Sequence, residues 1–307
     1  MQGHISKLFL VFTAATLGLA LSVAQPAFAQ SLLTGDIAGT VTDSSGAVIP
    51  NASVALKNLD TGAVQNAATG AAGEYRFRLL KPGHYTVTVE YTGFRKAERP
   101  VEVAVGQIVT ANLTLEVGAT NETVVVSGVA PLLNTESSIN TTFSPQEVQN
   151  LPAAGGDITT IAFSVPGVVV NNTGGYGNFT LNGLPATSNL FTINGENFMD
   201  PYFNINNSGA SNLGIGQNEM QETTVVANPY AGQYGQLSGA QVVYATKSGT
   251  NQYHGNAEYW WNGRAMNSND FFLNQSGTPQ PFSNANQWAT SFGGPIRKDK
   301  TFFFVDF

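Results

Sequence analysis

The 307-residue sequence contains no cysteine, which removes disulfides and thiolate-bound metals from consideration. Charge is scarce as well. Charged residues make up 11% of the chain, against about 25% in ordinary soluble domains. The 13 Lys and Arg form no stripe and the net charge is −7, so the basic footprint that nucleic acid requires is missing. Leu8 to Val23 is the longest apolar run, and it falls short of the about 20 residues that a membrane-spanning helix needs. No G-x-S-x-G, Walker loop or H-E-x-x-H is present. The three His are isolated, and His84 stands at a turn before a strand without the partners a zinc site requires. Asp200 with Asn204, Asn206, Asn207 and Ser208 offers a single carboxylate, too little for a calcium loop. His254 and Glu258 stand four apart. In a strand that puts them on one face but about 13 Å apart, too far for joint ligation. The expectation is therefore a protein that is not an enzyme, with no catalytic residue, no metal and no cofactor.

What is present begins with an export signal. Lys7 and the free amine precede the apolar run, and Ala27-Phe28-Ala29 gives the small-x-small pattern of signal peptidase sites, which predicts a signal peptide over 1–29 with cleavage after Ala29. The 33 Gly, above the usual share of about 7%, suit turn-rich β structure. An exported chain without helical spans can still be integral if its strands close into a barrel.

Residues 31–117 read as short strands with period-two alternation. Tyr85, Val87, Val89 and Tyr91 share one face and Thr86, Thr88 and Glu90 the other; Ala111, Leu113, Leu115 and Val117 alternate likewise. Ala52-Val54-Leu56, Tyr75-Phe77-Leu79 and Val101-Val103-Val105 repeat the pattern between turn clusters such as Asp60-Thr61-Gly62 and Lys81-Pro82-Gly83. About seven such strands predict an antiparallel β-sandwich. Gly39-Thr40-Val41-Thr42-Asp43, Gly46 to Ala52, Gly73-Glu74-Tyr75-Arg76-Phe77 and Leu80 to Tyr85 resemble a carboxypeptidase regulatory-like domain. The resemblance implies a transthyretin-like, carbohydrate-binding-like sandwich without peptidase activity.

Residues 118–130 form a linker that holds the β-prone stretch Glu122, Thr123, Val124, Val125, Val126, Ser127 and Gly128. Two readings stand for it: one more strand of the sandwich, or an extended segment offered to a partner. From 131 to 247 a mixed α/β region is predicted. Ser144-Pro145-Gln146-Glu147 is a capping box with Pro at the first helical position, so Pro145 to Asn150 is a short helix stopped by Pro152. Asp157 caps a second helix over Ile158 to Ser164. Phe179-Thr180-Leu181-Asn182-Gly183 recurs as Phe191-Thr192-Ile193-Asn194-Gly195, each a strand ending in an Asn-Gly turn.

This stretch is similar to the plug of TonB-dependent receptors, with Asn-Gly where that family's pattern has R-G and D-G. Asn228 to Gly235, Ser238-Gly239-Ala240 and Thr246 to Asn251 with His254-Gly255, then Gly293-Gly294-Pro295-Ile296 and Lys298 to Phe304, resemble the end of the plug and the barrel entry of Oar-like members. Residues 248–307 are accordingly expected to begin an outer-membrane β-barrel that the chain does not complete, with Tyr259, Trp260 and Trp261 candidates for the membrane interface.

The resemblance implies a mainly β, TonB-dependent outer-membrane receptor or transporter of a Gram-negative bacterium, its sandwich in the periplasm. Glu122 to Ser127 would bind TonB by strand addition. The implied partners are TonB, its inner-membrane motor proteins, outer-membrane lipid and an unidentified ligand such as a glycan or peptide. The alternative is an outer-membrane-anchored carbohydrate- or partner-binding adhesion protein without active transport.

Overall fold

In the computed structural model, residues 33–118, 139–151, 157–170, 178–206, 216–228 and 238–307 are described, with the backbone alone at 123–125. They lie within one compact unit, Leu32–Phe307. The expected cleavage site at Ala29 lies outside the described residues.

Two sheets build the sandwich. β1 (Gly35–Asp43) pairs antiparallel with β4 (Glu74–Leu80) and parallel with β7 (Ile108–Thr110) and β8 (Leu113–Leu115). The second sheet runs β3 (Val64–Ala68), β2 (Ser53–Asn58), β5 (Gly83–Glu90), β6 (Lys96–Val103) and β9 (Thr123–Val125). The period-two pattern puts Val54, Leu56, Tyr85, Val87 and Val89 of this sheet against Ile37, Val41, Tyr75, Phe77, Leu113 and Leu115 of the other, all buried. Burying each such aliphatic or aromatic side chain stabilises by about 1.5–3 kcal/mol.

One expected face is corrected. Leu79 was expected beside Tyr75 and Phe77 but is exposed, and Leu80 takes the core position. A register shift between Gly35 and Ile37 bulges the ladder, Leu79 stands at φ 56°, and its N–H donates to Asp36 Oδ1 at 3.0 Å. Val117 is likewise exposed, not on a dry face, because β8 stops at Leu115.

A second core follows. Its sheet runs β10 (Asn140–Phe143), β15 (Met220–Val226), β16 (Gln241–Thr246), β13 (Leu190–Ile193) and β14 (Glu196–Asn197). A two-stranded ladder joins β11 (Val168–Val170) to β12 (Phe179–Leu181). Helix α1 (Pro145–Asn150) begins as expected, with Glu147 N–H donating to Ser144 Oγ and Ser144 N–H to the Glu147 carboxylate. Ile158–Ser164 forms a 3₁₀ helix capped by Asp157. Both Asn-Gly pairs take positive φ at both residues, the geometry of a type I′ turn.

Candidate functional site

The last three strands form an antiparallel sheet of β17 (His254–Gly263), β18 (Asn284–Arg297) and β19 (Thr301–Asp306). Short helix α2 (Phe271–Gln275) lies in the loop between β17 and β18. β17 spans 10 residues, within the about 9–11 that a tilted membrane strand needs. Its register sorts the sheet by polarity. Tyr259, Trp261, Trp288, Phe292 and Val305 share one exposed face, where Tyr259 opposes Trp288 and Phe292 opposes Val305. Asn256, Glu258, Gln287, Ser291 and Asp306 share the other, with Ser291 opposing both Asn256 and Asp306. Of the three aromatics singled out by sequence, Tyr259 and Trp261 are on the apolar face and Trp260 on the polar one. Apolar outward and polar inward is the pattern of a strand between lipid and a lumen. No helix among the described residues is long and apolar enough to cross a membrane, which says nothing of strands.

The polar face meets the second core. Asn218, buried in the 3₁₀ turn Gln217–Glu219, donates through Nδ2 to Asp306 Oδ1 and accepts at its carbonyl from Lys247 Nζ at 2.9 Å. Burial raises the pKa of Glu219, with the Asp306 carboxylate adding to it, and burial lowers that of Lys247. This cluster escaped the sequence reading. Its only signal was Asp306 as a lone acid in the apolar run Thr301 to Phe307.

The sandwich is fastened to both neighbours. Val105, just past β6, packs with Val243 and Ala245 of β16 and with Leu33. Its N–H donates to Glu222 Oε1 at 2.9 Å. Glu222 is only 5% exposed, and burial holds its carboxyl above the ordinary glutamate range against hydrogen bonds from Val105 and Thr224. At the β2–β3 turn, Asn251 N–H donates to Asp60 O at 2.8 Å, while Asn251 Nδ2 donates to Asp299 Oδ1 in the β18–β19 turn at 2.8 Å.

Of the expected partner-binding segment, Thr123–Val125 forms β9, parallel to β6 with Lys96 opposite Thr123, Ala97 opposite Val124 and Glu98 opposite Val125. Glu122, Val126 and Ser127 lie outside the described residues. Pro100, which has no N–H to give, follows on β6 just past this ladder. Among the described residues no group of three or more His, Asp or Glu could hold a metal ion.

Comparison with known proteins decides the domain types. Residues 36–116 match the carboxypeptidase regulatory-like domain, and residues 245–307 match an outer membrane beta barrel domain. The chain carries both. It is also similar to the TonB-dependent transporter Oar of Myxococcus xanthus, 27% identical over 296 residues, covering 92% of this chain and 27% of the relative. The chain thus spans about a quarter of the length of that curated relative. Among solved structures it is similar to the Bacillus anthracis TIE protein, at 20% identity, 27% of this chain, 16% of that one and TM-score 0.25. Catechol 1,2-dioxygenase of Acinetobacter sp. ADP1 is matched at 13% identity, over 33% of this chain and 60% of that one, with TM-score 0.25. At such scores neither bears on function. The barrel-domain match begins within a few residues of Lys247, so the polarity-sorted sheet and the matched domain coincide.

Proposed function

We propose that this chain belongs to a TonB-dependent outer-membrane transporter, with a signal peptide over 1–29, a periplasmic sandwich, a plug over 131–247 and barrel strands after it. The observation that carries the reading is the sheet β17–β19, apolar on its exposed face, with Asp306 on its polar face held by Asn218 of the second core. A plug filling a lumen has that relation to its barrel wall. The similarity to Oar adds TonB, its motor proteins and an unidentified ligand as partners. On this reading Glu122 to Ser127 pairs with TonB as an added strand.

The anchored adhesion alternative draws no support from the groove beside β1 and β4. This open groove of about 580 Å3 runs past Ala38, Thr40, Ala67, Arg76 and Asn112. The one aromatic ring in it, Tyr75, is buried with its hydroxyl committed to the Ala111 carbonyl, so the groove has no ring on which a sugar could stack.

The test is Val125→Pro in the full-length receptor. Proline removes an N–H and fixes φ, so the variant should reach the outer membrane at normal abundance, yet no longer co-purify with TonB or take up ligand. Uptake that survives both this change and deletion of TonB would sink the transporter reading.

A further inference from the structure

We propose that the sandwich is part of the partner-binding surface: it presents Thr123–Val125 ready-extended at the open edge of its five-stranded sheet, and the partner's strand adds beyond it as a sixth. The inference rests on the reading of Glu122 to Ser127 as the TonB-binding segment, and it goes further by assigning the platform. Three observations support it. β9 ends the sheet order β3-β2-β5-β6-β9, with no strand among the described residues beyond it. An unpaired edge of this kind presents a row of N–H and C=O groups to an incoming strand. The pairing also fixes Thr123–Val125 in extended form before any partner arrives, so the ordering that weakens binding by a flexible segment has already been met by the sandwich.

The platform also has a route to the plug. β6 is the strand on which β9 lies, and Val105 immediately beyond it donates to the buried carboxylate of Glu222 in β15. A pull taken at the sheet edge would reach the plug through this contact as well as along the linker. A segment waiting to be peeled off before use would behave in the opposite way: pairing with β6 would then compete with the partner.

The two arrangements separate by clamping β9 onto β6. Glu98 and Val125 are direct partners in the ladder. Neighbouring strands lie about 4.8 Å apart, inside the roughly 4.4–6.8 Å that a disulfide spans between Cα atoms. Residues 1–307 have no cysteine of their own, and any cysteine in the remainder of the receptor is replaced by Ser before the pair is introduced. In the full-length receptor carrying Glu98→Cys and Val125→Cys, the pair should oxidise to near completion. The clamped protein should bind the periplasmic C-terminal domain of the cognate TonB at least as tightly as the reduced one, and up to about tenfold tighter through pre-organisation. Failure to oxidise, or a reductant-reversible loss of tenfold or more in affinity, would overturn the proposal. Val125→Pro serves as the separate arm: if it binds the same TonB domain like wild type, the assignment of the segment itself fails, whatever the clamp does.

Discussion

Replacing Glu222 by Gln should stabilise the protein at neutral pH, although it removes a carboxylate that accepts two hydrogen bonds. Glu222 Oε1 takes the Val105 N–H at 2.9 Å and the Thr224 hydroxyl at 3.1 Å. Both bonds favour the ionised form, yet its pKa is raised, with burial the leading cause and Glu102 adding to it. Desolvation therefore outweighs the two bonds. Because the folded-state pKa lies above the unfolded one, the folded protein binds the proton more tightly. Stability from this group is complete below the unfolded pKa and is lost as pH rises through the folded pKa. Gln keeps an oxygen for Val105 and Thr224 without the charge, and each unit of pKa elevation it removes is worth about 1.4 kcal/mol. A higher melting midpoint than wild type is therefore expected at pH 7. The gain should vanish as pH falls through the glutamate range. Glu222→Leu should do the reverse, since it strands the Val105 N–H at about 1–3 kcal/mol. Thermal melts of the detergent-solubilised full-length protein from pH 4 to 8, with hydrogen exchange at Val105, measure both. A Gln variant less stable than wild type at pH 7, or a difference that ignores pH, would refute the argument.

Leu56→Ala, at a fully buried position in the middle of β2, should cost about 2–5 kcal/mol, read as a lower midpoint in the cooperative melt expected of an excised 31–117 piece. Ser144→Ala removes the side-chain half of the α1 capping box and should cost about 1 kcal/mol, measured by urea unfolding. Val305→Lys puts a charge on the exposed apolar face of β19 and should cost about 2–4 kcal/mol in a bilayer. Glu258→Gln, on the polar face, should leave the yield of folded outer-membrane protein nearly unchanged; equal yields from both variants would mean the faces are misassigned.

The features legible in the sequence were those encoded locally. The α1 helix is set by Ser144, Pro145 and Glu147 within four positions, and both Asn-Gly turns carry their geometry in two residues. Burial by alternation held for Val87 and Val89 because their strand is paired along its length on both sides. It failed at Leu79, where a bulge made by pairing with Gly35 and Ile37 shifts the phase, and a partner about forty positions away leaves no local trace. The seat of Val105 on Glu222 joins residues 117 positions apart. In sequence, Val105 is one more member of an alternating run, and its function as a contact appears only when the sandwich meets β15. Glu222 could have been suspected, as an acid in a run of strand residues that is buried almost throughout.

Charge distribution explains why the junctions fall where they do. From Pro100 to Thr246 the sequence contains no Lys, Arg or His, while Glu222 is buried there and Glu219 partly buried. Neither acid has a cation from its own stretch, so each is met by polar groups at a boundary: Glu222 by the Val105 N–H of the sandwich edge, Glu219 by the Gly216 N–H beside Asp306 of the sheet wall. The first cation after this stretch is Lys247, half-buried between the second core and β17, where its ammonium donates to Asn218 O and feels both Glu258 and Asp306. This ammonium thus donates to a carbonyl of the second core within the field of carboxylates on two strands of the sheet wall. An anion reaching residues 100–246 would find only backbone N–H groups and neutral side-chain donors, so selection for negative charge cannot come from the cations of that stretch.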